Sequence, residues 1–253
     1  MSPTPLPLDV HTCAEPGARD HNEDDLRVGQ AQALAWAVLS DGAGGHSRGD
    51  EASRRVVSTV DAALQLAAQG SGLSARWLGA AIEDAHAALN AEQAHLQGRR
   101  RMHATVVALA LDRVRGEAVW AHVGDSRLYL LRGGVVSALT RDDSVVQQMV
   151  DAGFLTPEAA RHHPRKNQLL SALGGPEAVE VHLSPAPLAL RAGDAFLLCS
   201  DGWWDVVQPE AIVQTHRNAV DAADWLQRMH SLIREANAPN QDNYSAVTLI
   251  VGA

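Results

Sequence analysis

Five short acidic motifs, most of them closing a strand-like run, are spread from one end of the chain to the other. They read Arg19-Asp20-His21-Asn22-Glu23-Asp24, Asp41-Gly42-Ala43-Gly44-Gly45-His46, Gly124-Asp125-Ser126-Arg127, Asp201-Gly202-Trp203-Trp204-Asp205 and Asp242-Asn243-Tyr244-Ser245. Carboxylates released at strand ends beside glycine suit a hard divalent cation. Mg²⁺ and Mn²⁺ prefer oxygen ligands, and glycine lets backbone carbonyls approach. With Glu23 and Asp24, the strand-terminal aspartates supply enough oxygen for two cations, one carboxylate bridging both. Two ions about 3.5–4 Å apart can hold a hydroxide between them and clamp the oxygens of an in-line displacement, an arrangement that phosphoester hydrolysis exploits. Arg19, four residues before Glu23, offers a planar fork to two phosphate oxygens. Taken singly, Asp-Gly is most often a turn, and an arginine followed by acids is usually a solvated loop. Turn formation alone does not require all five motifs in this order.

These motifs need a scaffold that ends many strands at one place. Strand-type runs are 8–14, 34–40, 104–111, 118–123, 128–131, 135–139, 179–183, 195–199 and 244–251, each apolar or β-branched and stopped by Gly, Asp or Pro. Two amphipathic helices are expected between the second and third runs. Val56, Val57, Val60, Ala63, Leu64 and Ala67 form one face, and Trp77, Leu78, Ala81, Ile82, Ala85, Ala88 and Leu89 the other, with Ser74 as N-cap of the second helix. A later helix carries Ala222, Trp225, Leu226, Met229, Leu232 and Ile233. Gly133-Gly134 is a two-residue hairpin signal. Residues 142–175 read as short helices and loops inserted on the sheet scaffold. Strands, a helical pair and then hairpin-spaced strands predict antiparallel sheets with helices outside them.

The 253 residues, 46% hydrophobic, suffice for one sizeable core, and no linker or repeat divides them, so a single domain over 1–253 is expected. The net charge of −9 argues against a nucleic-acid binder. Arg99, Arg100 and Arg101, the one basic cluster, read as a solvated loop, Ser2 to Pro7 as a frayed terminus, and Trp203 and Trp204 as packing residues. Cys13 and Cys199 lack a paired spacing and sit in apolar runs, which predicts buried free thiols in a reducing compartment. With no secretory signal and no membrane-length apolar run, a soluble cytoplasmic protein is expected.

In its motif order, from about Gly17 to Ser245, the chain resembles the metal-dependent protein phosphatases, the PPM or protein phosphatase 2C type, in their compact bacterial form. The resemblance implies an α+β fold, an α-β-β-α sandwich of two antiparallel sheets flanked by helical pairs, with residues 142–175 as a flap that borders the cleft and helps to choose substrates. It implies Mn²⁺ or Mg²⁺, two ions with a possible third. Asp41 would bridge the pair, Asp201 and Asp242 would complete the first site, and the Gly42 carbonyl with Glu23, through water, would serve the second. Asp24 would support bound water, Asp125 with Asp201 would hold the weaker third ion, and Asp205 matches a further acidic position. Arg19 matches the phosphate-binding arginine. The implied reaction is hydrolysis of phosphoserine and phosphothreonine by a hydroxide bridging the two metals, without a phosphoenzyme. Implied partners are phosphorylated proteins, a Hanks-type kinase and its targets among them, and the implied state is a monomer.

Four departures from the family pattern stand out. Met102-His103-Ala104-Thr105 replaces Gly-Thr-Thr, and Asp142-Asp143-Ser144 replaces Asp-His-Ser. Ala43 stands where relatives carry Met or a histidine proposed as general acid, which leaves His46 as the candidate acid. Ser171 replaces a frequent arginine. None removes an expected metal ligand. Two other readings remain open: an inactive pseudophosphatase that binds phosphoproteins, and a hydrolase of small phosphoesters or nucleotides.

Overall fold

The computed structural model describes residues 4–31, 33–44, 48–69 and 73–252. In chain order its strands are β1 (Leu8–Glu15), β2 (Asp24–Ala31), β3 (Leu34–Gly44), β4 (Met102–Ala104), β5 (Val106–Asp112), β6 (Glu117–Val123), β7 (Arg127–Arg132), β8 (Val135–Ala138), β9 (His182–Leu183), β10 (Leu188–Ala189), β11 (Ala195–Cys199) and β12 (Tyr244–Val251). The α-helices are α1 (Gly49–Ala67), α2 (Ala75–Glu92), α3 (Val145–Asp151), α4 (Pro157–Arg161), α5 (Asp201–Trp204), α6 (Pro209–Arg217) and α7 (Ala222–Ala236).

All pairing is antiparallel. One sheet runs β1-β12-β11-β7-β8 and the other β10-β6-β5-β3-β2, with β4 on β3 and β9 on β6. The sheets pack face to face through Ala37, Leu39, Val107, Leu109, Leu128, Leu130, Phe196, Leu198, Val247 and Leu249. The opposite faces of the same strands are covered too. Trp36 and Val38 pack with Val56, Val60, Leu78 and Ile82 of α1 and α2, while Leu197 and Cys199 pack with Trp203, Trp225 and Met229. This is the expected α-β-β-α layering. Central strands buried on both faces read as continuous apolar runs rather than alternating ones, and each such side chain contributes roughly 1.5–3 kcal/mol of burial.

Differences from expectation have local causes. Strand β2 is missing from the strand-type runs, because Asp24-Asp25-Leu26-Arg27 has poor strand propensity. Full pairing with β3 and the inward packing of Leu26 outweigh that propensity. The run 104–111 is two strands, because Thr105 turns its polar groups to β3: its N–H donates to the Asp41 carbonyl (2.8 Å) and its hydroxyl accepts from the Asp41 N–H (3.0 Å). Only 182–183 of the run 179–183 pairs, while Val179 and Val181 pack under α2 as coil. Helix α6 shows a single buried side chain, Ile212, too few for periodicity to reveal it. Ser74 does cap α2, accepting from the Trp77 N–H at 3.2 Å, and Gly133-Gly134 joins β7 to β8. The segment before β1 is docked rather than frayed where it is described: the Leu6 N–H donates to the Arg113 carbonyl at 2.9 Å. Arg101 is not solvated either, since its guanidinium donates to the Gly174 carbonyl at 2.9 and 3.1 Å. Among the described residues no helix is long and apolar enough to cross a membrane.

Candidate active site

The motifs meet at one edge of the sandwich, where strands of both sheets end. The antiparallel register of β2 and β3 sets Asp24 directly opposite Asp41. Ser200, which follows β11, joins the sheets: its hydroxyl donates to Asp24 Oδ2 (2.8 Å) and accepts from the Ser245 N–H (2.9 Å). Asp201 opens α5 immediately after it. A Cβ on Gly202 would lie 2.2 Å from the Asn243 carbonyl, so only glycine lets that turn press against the loop carrying Asp242. Gly42 is confined in the same way, a Cβ there meeting the Gly49 carbonyl at 2.0 Å. Close by, the Glu23 carboxylate accepts from the Gly49 N–H at 3.3 Å.

Sequence reasoning does not single out Asn243, yet it ties the two ends of the site together. Its Oδ1 accepts from the Glu23 N–H (2.8 Å), and its Nδ2 donates to the Pro16 and His21 carbonyls (2.9 and 2.8 Å). Its place inside the last acidic motif is the available signal. Thr105 escapes sequence reasoning in the same way; besides holding Asp41 it shares a 2.7 Å hydrogen bond with Ser126. Asp125 is buried in the turn from β6 to β7, and its carbonyl accepts from Trp204 Nε1 at 2.9 Å. Asp205 lies at the rim, paired with Lys166. His46 lies outside the described residues.

The charge balance at this edge is unusual. Burial pushes the Asp24 carboxyl up to about 7, with Asp201 and Asp242 adding to it and the Ser200 hydroxyl opposing it. Asp201 is pushed up to about 6 by burial, then by Asp242 and Asp205. Asp41 and Asp125 stand well above the ordinary carboxylate range, again through burial and then their acidic neighbours, and burial raises Glu23. Asp24 Oδ1 and Ser245 Oγ are buried without hydrogen-bond geometry to any partner, although Ser245 is near enough to lower the Asp24 pKa. A buried carboxylate oxygen left unpaired is costly. Arg19 donates from Nη2 to Asp242 Oδ2 at 2.8 Å, while Asp242 Oδ1 accepts from the Asn243 N–H at 2.9 Å. Among the described residues no three cleft carboxylates bring ligand oxygens within 4.8 Å of one another. An all-oxygen donor set, rich in buried carboxylates that repel one another, fits hard divalent cations.

The model of the protein phosphatase 2C family matches residues 17–242. The serine/threonine protein phosphatase PstP of Mycobacterium tuberculosis is 37% identical over 230 residues, which are 90% of this chain and 42% of that protein. This chain belongs to the protein phosphatase 2C family. It thus spans about two fifths of that relative's length. The serine/threonine phosphatase Stp of Listeria innocua is 34% identical over 81% of this chain and 82% of its own. The crystal structure of the PstP catalytic domain in complex with two manganese ions superposes with a TM-score of 0.80 at 33% identity, covering 97% of this chain and 99% of that one.

The departures from the family pattern fall in two places. Asp143 anchors the base of segment 142–175: its Oδ2 accepts from the Gly124 N–H (2.8 Å), and its Oδ1 bonds His182 Nε2 (2.7 Å). Beside it Asp142 takes the Arg127 fork at 2.9 and 2.7 Å, and that guanidinium lies 3.7 Å from the Trp204 ring centroid. The other three departures share one groove. Ala43 and His103, register partners in β3 and β4, line it together with Ser171. His103 is half-buried, and burial pulls its pKa below the ordinary value, so it faces the groove as a neutral imidazole near pH 7.

Proposed function

We propose that this chain is a metal-dependent phosphatase of phosphoserine and phosphothreonine in proteins. The observation that carries the proposal is the meeting of Glu23, Asp24, Asp41, Asp125, Asp201 and Asp242 at one edge, with burial raising the carboxyl pKa of the first five and Arg19 resting on Asp242. The likeness to the PstP catalytic domain, crystallised in complex with two manganese ions, and to the other bacterial serine/threonine phosphatases supports it. In this reading Asp41 bridges two Mn²⁺ or Mg²⁺ ions, Asp201 and Asp242 hold the first, and the Gly42 carbonyl with Glu23, through water, holds the second. Asp125 with Asp201 serves a third. When bound, the ions supply Lewis-acid charge and lower the pKa of water towards ~7, so no side-chain nucleophile is needed.

The protein's own groups do the remaining work. Ser200 holds the Asp24 carboxylate and the Asn243 N–H that of Asp242, while Thr105 and the Asn243 side chain fix the backbone at Asp41 and Glu23, so less of the site has to reorganise during reaction. Arg19 and a cation compete for Asp242. With Asp242 engaged by a cation, the Arg19 guanidinium fork would be available to two phosphate oxygens, where it would orient the ester and offset charge at phosphorus. Residues flanking the phosphorylated side chain lie in the groove of Ala43, His103 and Ser171. All described residues act in this reading as one phosphatase domain, a monomer opposing a Hanks-type kinase.

The deciding experiment is phosphate release from a phosphothreonine peptide in Mn²⁺, in Mg²⁺ and in EDTA. Release that needs metal and disappears in Asp201→Asn supports the proposal. Folded protein that binds the phosphopeptide in Mn²⁺ without turnover makes the chain a phosphoprotein-binding module instead.

A further inference from the structure

Away from the carboxylate edge, three side chains of unlike chemistry meet on the helix-covered face of the first sheet. Cys13 and Glu15 are two residues apart on β1, so both project to the same face. Helix α7 packs across that strand and brings His230 to them. One ligand atom from each of Cys13, Glu15 and His230 lies within 4.8 Å of the other two. Among the described residues this is the one such grouping, and its donors are sulfur, oxygen and nitrogen rather than oxygen alone.

The surroundings suit ligation. His230 Nε2 lies 3.1 Å from the Tyr244 hydroxyl, and Tyr244 is the register partner of Glu15 in β12. With Nε2–H donating to that hydroxyl, Nδ1 keeps its lone pair, and a hydrogen bond from the second ring nitrogen is the usual support of a metal-bound histidine. Trp203, with its ring 6.5 Å from that of His230, closes one side. All three ligating residues are half-buried, and they line a groove that is open to solvent between His11, Thr12 and Gln227. Tetrahedral zinc sites have bonds of about 2.0–2.3 Å, which sets neighbouring donor atoms roughly 3.5 Å apart. Closing from 4.8 Å to that spacing needs only rotamer adjustment at half-exposed side chains.

We propose that Cys13, Glu15 and His230 form a separate metal site for a borderline-soft divalent cation such as Zn²⁺, with its fourth position open to water from the groove. The thiol proton leaves to solvent as the sulfur–metal bond forms, the carboxylate binds ionised and the imidazole binds neutral. Because the metal displaces the thiol proton, affinity rises with pH. The hard ions of the carboxylate edge do not compete for this sulfur-containing set. Occupancy fastens α7 to edge strand β1 and raises thermal stability. The site stands independently of the phosphatase reading.

The test is a Co²⁺ titration of the reduced full chain with Mg²⁺ in excess, because a cobalt–thiolate bond gives a charge-transfer absorption that oxygen sites lack. The expected result is about one equivalent bound with that band, displaced by Zn²⁺. Glu15→Gln and His230→Gln should weaken binding at least ~10-fold, and Cys13→Ser should abolish the band and the Zn²⁺-induced rise in Tm. Cys199→Ser should keep both, and Cys13→Ser should retain the parent's Mg²⁺-dependent phosphate release. No charge-transfer band in the folded wild type, or a band that survives Cys13→Ser, overturns the proposal. Should Cys13→Ser not fold, undiminished Co²⁺ affinity in His230→Gln overturns it equally.

Discussion

The carboxylate edge and the groove beside it are neighbours built on opposite principles. At the edge, Glu23, Asp125, Asp201 and Asp242 sit within two residues of a paired strand, Asp24 and Asp41 face each other across β2 and β3, and polar groups fix several of them: Ser200 the Asp24 carboxylate, Thr105 the Asp41 backbone, Asn243 the Glu23 N–H and the Asp242 carboxylate. The groove is lined by Ala43 and His103 at the ends of β3 and β4 and by residues 167–172 of the flap, and there three of the four departures from the family pattern collect. In the proposed reading, the parts that meet a cation are fixed by backbone register, where a displacement would break many bonds at once, and the parts that meet a variable substrate sit where a side chain can change at little structural expense.

The sharpest way to break this contrast is Asp41→Asn. It should lower metal-dependent phosphate release at least ~10³-fold, while the thermal stability of the metal-free protein holds or rises because one like charge is removed. An active Asp41→Asn enzyme would put the edge on the same footing as the groove. Next in size is Arg19→Ala, for which kcat/KM should fall about 10–100-fold while Mn²⁺ affinity, read by titration calorimetry, does not weaken, since Arg19 competes for Asp242. A parallel loss of Mn²⁺ affinity would mean instead that the guanidinium holds Asp242 in place for the ion. His103→Ala should alter the ranking of phosphopeptides by less than ~10-fold in KM with the metal requirement intact. Loss of activity on every peptide would transfer His103 from the groove to the chemistry.

The smallest effect is on stability. Asp24 and Asp201 have folded pKa values of about 7 and 6, above the ~3.9 of an unfolded chain. The folded state therefore binds protons more readily, and the cluster's contribution is full below pH ~4 and lost as pH rises through 6 and 7. The Tm increase on adding Mg²⁺ should accordingly grow between pH 5 and pH 8, and Asp24→Asn should flatten that growth. Differential scanning fluorimetry across the range checks it, and a pH-independent increment would detach the raised carboxyl pKa values from the cation site.

Much of this molecule is legible in its residues. Strand runs 195–199 and 244–251 coincide with β11 and β12, the two amphipathic helices are α1 and α2, and every acid named from sequence within the described residues lies at the edge or its rim. Both-face burial makes those strands continuous apolar runs, and strand ends beside glycine mark the acids. Strand β2 is hidden, because its propensity is that of a loop and only pairing with β3 makes it a strand. Asn243, Ser200 and Thr105 are hidden for a related reason: a polar residue's value lies in which buried groups it reaches, and those lie up to 227 residues away. Local pattern determined the antiparallel sheets with helices outside them, and the order of the acidic motifs carried the resemblance to the family. Tertiary structure alone decided that Arg19 rests on Asp242, that three departures share one groove, and that Cys13, Glu15 and His230 meet, because contacts between distant segments depend on register and layer packing rather than on any local sequence period.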